Sequence, residues 1–167
     1  MANWLSIRLA VYGSHAALQR FTKRAPTTTP SRIFPATMLE GESGPLLASR
    51  ARNVSVSLSK KVYMLQLRND DGIAHFTAIS AIYPNVNIVL IYFDPNTDSS
   101  GSYLIHSGDR RHYKVASATW ESLLQVHGYS DDDDADDGPY WEAASAAMDI
   151  CEKHWESVIV RGMRVGA

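Results

Sequence analysis

Leu5-Ser6-Ile7-Arg8-Leu9-Ala10-Val11-Tyr12-Gly13-Ser14 carries two signals in succession. Leu5, Ile7, Leu9 and Val11 alternate with Ser6, Arg8, Ala10 and Tyr12, which is the period of a strand with one buried and one wet face. Gly13 breaks that period, and Ser14 stands where a helix N-cap is expected. Ala17, Leu18 and Phe21 then follow at helical spacing until Pro26 stops the helix. A strand feeding directly into a helix needs return strands downstream to pair with it.

Those strands are legible further on. Val54, Val56 and Leu58 alternate with Ser55, Ser57 and Ser59, and Tyr63, Leu65 and Leu67 alternate after Lys60-Lys61, so a hairpin turning at the two lysines is predicted. Asp70 or Asp71 begins a helix carrying Ile73, Phe76, Ile79 and Tyr83, which Pro84 ends. Val86 to Phe93 is almost continuously apolar and reads as a central strand covered on both faces. The order is β-α-β-β-α-β, that of a ferredoxin-like split βαβ sandwich, an α+β fold with a mainly antiparallel sheet.

The rest extends that core. Asp94-Pro95-Asn96-Thr97-Asp98 makes a turn, and Ser102–His106 and His112–Val115 form an added hairpin around Gly108-Asp109. A short helix, Trp120–Val126, is expected to be capped by Thr119. A long one, Pro139–Val160, carries the stripe Trp141, Ala144, Met148, Cys151, Trp155 and Val158. Residues 1–117 thus form the core, with an irregular connection at 26–52 holding a short helix near Leu46 to Arg50. Residues 118–167 form a C-terminal helical extension of the same compact domain.

Charge is unevenly distributed. Asp131, Asp132, Asp133, Asp134, Asp136 and Asp137 are six of the 18 acidic residues, set against 16 basic ones. Without them 12 acids face 16 bases, and the net charge of −2 becomes +4. A block of like charges repels itself and resists burial, so it reads as a solvated loop or as a docking segment for a basic surface. Asp136 and Asp137 also precede the last helix, where negative charge complements the dipole. The sequence pI near 6.3 argues against a general DNA-coating protein. Cys151 is the one cysteine, which excludes an intramolecular disulfide and fits a reducing, cytoplasmic setting. No signal peptide and no membrane-spanning run is visible, so no membrane partner is expected.

Asn3-Trp4-Leu5-Ser6-Ile7-Arg8-Leu9 through Val11-Tyr12-Gly13 resembles the opening of the Api-like proteins of plasmids, phages and genomic islands. Ile82-Tyr83-Pro84-Asn85-Val86 and Ile91-Tyr92-Phe93-Asp94, with Gly101 and Gly108, are similar to that family's helix-proline-strand-hairpin region. The resemblance covers roughly residues 3–25 and 60–115; the family's tryptophan-rich motif has no counterpart in 26–60. It implies a ferredoxin-like domain, no transferable catalytic residues and a mobile-element setting, in which such proteins often act against host defences.

No constellation makes an enzyme the expectation. Asp94, Asn96 and Asp98 begin like a calcium loop, but Ser99 and Ile105 stand where Gly and Glu are needed. His106 and His112 flank a turn without enough further ligands for zinc, so neither a metal nor any cofactor is expected. Cys151 and His154 are neighbours on a helix, yet Cys151 lies in the apolar stripe and reads as core. The sequence therefore favours a non-enzymatic interaction protein. It would use the acidic loop to inhibit a host protein or nucleoprotein complex, of CRISPR type or another nucleic-acid-handling kind, by contacting its basic groove. The alternative is a single-stranded nucleic-acid-binding module. That would use the sheet face, aromatics such as Tyr12, Tyr63 or Tyr113, and Arg20, Lys23, Arg24, Lys60, Lys61, Arg110, Arg111 and Lys114. Edge strands and the last helix also allow a homodimer.

Overall fold

A computed structural model describes residues 4–25, 31–34, 47–68, 72–130 and 137–165. Its strands are β1 (Trp4–Gly13), β2 (Leu47–Ala48), β3 (Arg52–Asn53), β4 (Ser59–Arg68), β5 (Val86–Asp94), β6 (Ser99–His106) and β7 (Asp109–Lys114). Its helices are α1 (His15–Lys23), α2 (Ile73–Ile82), α3 (Ser117–His127) and α4 (Gly138–Val165). The sheet runs β2-β4-β1-β5-β6-β7, with β3 also on β4, and each pairing is antiparallel. β1 lies between β4 and β5, the split βαβ arrangement of the ferredoxin-like fold. Two short pieces, β2 and β3, stand in for its second strand, and β6 and β7 extend it as an added hairpin.

Strand alternation sends side chains to two cores. On one face Ile7, Leu9 and Val11 join Tyr63, Leu65, Ile88 and Leu90 beneath Leu18, Phe21, Phe76 and Ile79 of α1 and α2. On the other, Ala10, Tyr12, Val89, Ile91 and Phe93 pack against Trp120 of α3 and against Ala147, Met148, Cys151 and Trp155 of α4. β1 therefore has no wet face, which corrects the reading from its alternation. Ala10 and Tyr12 are fully buried, and Arg8 is half-covered because α4 brings carboxylates to it.

Those carboxylates clamp α4 to the sheet. Arg8 Nη1 pairs with Asp149 and, at 3.0 Å, with Glu152; Lys60 Nζ lies 2.8 Å from Glu152 and 2.6 Å from Glu156. The Tyr12 hydroxyl donates to Glu156 at 3.2 Å, and Trp155 Nε1 donates to buried Ser102 Oγ at 2.8 Å. Glu152 serves both cations, and its side chain is only 13% exposed. Glu152→Ala should lower stability by about 2–3 kcal/mol, below the range for a fully buried pair because Asp149 and Glu156 still compensate part of the charge. Glu152→Gln should lose less, since it keeps a hydrogen-bond acceptor. Urea unfolding of both variants measures the difference.

Several local expectations change. Val54–Leu58 is not a strand but the turn itself: the amides of Val54 and Ser55 donate to the Leu58 carbonyl at 2.8 and 3.1 Å, while Leu58 anchors in the core. Lys60 and Lys61 consequently lie inside β4, opposite Tyr12 and Val11. Leu47 and Ala48 pair with Met64 and Tyr63 instead of forming a helix; Leu46 is outside the described residues. Thr119 does not cap α3, which starts at Ser117 after Ala116 and has no side-chain cap bond. Trp141 is 48% exposed and leaves the stripe of α4, where Ala143, Ala147 and Ile159 are buried. The expected N-cap Ser14 is in place, its hydroxyl accepting from the Ala17 amide at 3.2 Å. Asp70 and Asp71 lie outside the described residues; α2 begins after Gly72, whose φ of +70° suits glycine.

Candidate functional site: the anionic end

α3 ends at Gly128, whose φ of +74° lets the chain turn back, with Gly128 and Tyr129 amides donating to Gln125 and Leu124 carbonyls at 3.1 and 2.9 Å. The chain re-enters the described body at Asp137, whose carbonyl accepts from the Trp141 amide at 3.2 Å at the start of α4. Between these ends lie Asp131–Asp134 and Asp136, outside the described residues; Asp137 is described and exposed.

Tyr140 joins the two ends. Its ring centroid lies 5.5 Å from that of Tyr129, 5.7 Å from Trp120 and 5.6 Å from Phe93. Its hydroxyl donates to Asp98 Oδ1 at 2.6 Å, in the β5–β6 turn. His127 Nδ1 and Glu142 Oε2, 3.2 Å apart, tie α3 to α4 a turn further in. Both flanks of the aspartate run are thus held against the end of the sheet where Asp94 and Asp98 also sit. The Asp94 carboxylate accepts from the Asn96 amide and side chain and from the Thr97 hydroxyl at 3.0–3.1 Å. Burial alone would raise its pKa, but these hydrogen bonds outweigh burial and lower it, so the charge persists into acid.

The phenols shift the other way. Burial, then the Asp98 hydrogen bond and charge, pushes Tyr140 up; burial, then the charges of Glu152 and Glu156, does the same to Tyr12. Burial pulls Lys60 down, but its hydrogen bonds and charge interactions with Glu152 and Glu156 raise it overall. In the fold all three keep protons that the unfolded chain releases near pH 10.0 to 10.5. Their stabilisation is present below that range and lost above it. Thermal unfolding midpoints should therefore fall as pH rises past 10, and Tyr140→Phe should flatten the decline.

The other sequence candidates sort clearly. Asp94, Asn96 and Asp98 bond within their own turn and to Tyr140, and no cluster of three His, Cys, Asp or Glu residues suited to a metal occurs among the described residues. His106 and His112 point to opposite faces, because His106 pairs with Asp109 and His112 with Tyr103. Cys151 is fully buried, and burial raises its thiol pKa; His154 instead stacks on Tyr113 at 4.0 Å.

The basic residues do not form one surface. Lys60 is consumed by the clamp, and Lys61 lies 5.5 Å over the Tyr63 ring. Arg20, Lys23 and Arg24 line a groove beside Ile82–Val86, with a cavity of about 350 Å³. Arg110 and Lys114 share one face of β7, while Arg111 points to the other. Tyr12 and Tyr63 are fully buried, so neither presents a ring to a base. Sequence reading missed the clamp, although Asp149, Glu152 and Glu156 recur at helical spacing and mark one acidic face of α4.

No helix among the described residues is long and apolar enough to cross a membrane. Compared with protein-family models, curated proteins and solved structures, the chain matches none.

Proposed function

We propose that this chain is a non-enzymatic interaction protein that presents Asp131–Asp137 to the basic groove of a partner which otherwise receives nucleic acid. It acts there as an inhibitor, in the manner of a phosphate-backbone mimic. The supporting observation is the fixed base of the segment. Tyr129 and Tyr140 close its two ends to a ring separation of 5.5 Å, and Asp98 bonds to the same Tyr140. Anchoring the ends reduces the conformational entropy lost when a loop is ordered on a partner. Charge complementarity then governs association rate and salt dependence more than final affinity.

A host nucleoprotein complex of a defence system fits this chemistry and the mobile-element setting that the Api-like resemblance implies. Partner recovery from bacterial lysate, repeated at low and high salt, tests the reading. A partner that is lost at high salt and that binds nucleic acid through the same groove supports it. A partner held equally well at high salt, through an apolar surface, contradicts it.

A further inference from the structure

Beyond that reading, we propose that the outer edge of the sheet is a stacking platform for single-stranded nucleic acid, built from Tyr92, Tyr103 and His112 between Arg110 and Lys114. The register brings these residues together from three strands. Tyr92 lies opposite Gly101, Gly101 opposite Lys114, and Tyr103 opposite His112, all on the face shared with α1 and α2. Gly101 makes room: a Cβ there would collide with the Tyr92 ring and its hydroxyl, so the ring lies across the glycine toward β7.

His112 is nearly parallel to both tyrosines, which tilt 31° from one another at 6.1 Å. His112 stacks on Tyr103 at 4.4 Å and 17°, and the Tyr92 plane is within 15° of the His112 plane at 6.3 Å. The Tyr92 hydroxyl and His112 Nε2 are 3.1 Å apart, which fixes the imidazole against the cluster. Tyr92 and Tyr103 are half-buried and thus held in place, whereas His112 is exposed and offers its ring to a ligand. Arg110 and Lys114 flank it two residues away on either side, both exposed and with no side-chain ion pair or side-chain hydrogen bond among the described residues.

Aligned rings present π-faces to unstacked bases, and free cations beside them attract the phosphates between those bases. A duplex hides its base faces and would meet only the cations. An apolar protein segment would gain little from two unpaired charges. The chemistry fits a single strand of either sugar type.

Fluorescence anisotropy of labelled DNA and RNA single strands of about 12 nucleotides, and of the matching duplex, tests this on the full chain. Single strands should bind more tightly than duplex, and His112→Ala should weaken them roughly ten-fold. Arg110→Gln with Lys114→Gln should reduce the slope of log affinity against log salt by about 1.4, two charges at about 0.7 each. Arg110 and Lys114 are exposed, so their double variant should retain the wild-type unfolding midpoint; His112→Ala gives up its contacts with Tyr103 and Tyr92 and should lower it only slightly. Arg20→Gln with Lys23→Gln and Arg24→Gln, on the separate α1 groove, should leave binding unchanged. Absence of single-strand binding, equal binding of duplex, or wild-type affinity in both platform variants would overturn the proposal. A clear preference for DNA or for RNA supports it and identifies which strand the platform takes.

Discussion

Trp155→Ala is expected to destabilise the protein by about 3–5 kcal/mol, the usual range for removing a buried tryptophan side chain. Trp155 is 4% exposed and fills the layer between α4 and the sheet. Its indole nitrogen also satisfies Ser102 Oγ, and Ser102 is fully buried. The substitution therefore opens a cavity and removes one partner of a buried hydroxyl, which is left with its bond to Cys151. Trp155→Phe keeps much of the volume and should lose only about 1–2 kcal/mol, through the missing indole hydrogen bond and the smaller ring. At roughly 2–4 °C per kcal/mol for a chain of this size, the alanine variant should unfold about 10 °C lower. Parallel thermal and urea unfolding measures both variants. Losses below 1 kcal/mol for alanine would mean that α4 is not held to the sheet at this point.

Replacing Asp131, Asp132, Asp133, Asp134, Asp136 and Asp137 with asparagine should abolish partner binding and leave the unfolding midpoint almost unchanged. The change leaves 12 acidic residues against 16 basic ones and moves the formal net charge from −2 to +4. Among the described residues, Tyr140 meets the Tyr129 ring and Asp98, and the Asp137 carbonyl accepts from the Trp141 amide; these contacts use no carboxylate of the run. Asparagine at 137 still favours a helix start as aspartate does. Binding and stability should thus separate, which a variant acting through misfolding could not produce.

The strands of the core were legible because their alternation is undisturbed: Leu5–Tyr12, Tyr63–Leu67 and Val86–Phe93 all fall in β1, β4 and β5. Val54–Leu58 imitates a strand because its Val-Ser alternation continues over a span short enough to be a turn, with no Gly inside it and Asn53 only at its entry. The wet face assigned to β1 failed for a tertiary reason. Arg8 looks solvated in isolation, yet its partners Asp149 and Glu152 are some 140 residues away on α4, with separations of 141 and 144. Long-range pairing of that kind leaves no local pattern.

Of the candidate sites, the aspartate run was evident from composition alone, whereas its fixed base depends on Tyr140 meeting Tyr129 and Asp98. The platform was hidden because Tyr92, Tyr103 and His112 become neighbours only once the register of three strands is set.

Capture from one bacterial lysate by the tagged wild-type chain and the six-asparagine variant, side by side, decides whether the aspartate run binds the partner. The wild type should retain a salt-sensitive nucleic-acid-binding complex that added nucleic acid displaces, and the variant should retain none. Recovery of the same complex in equal amount by both chains would contradict it.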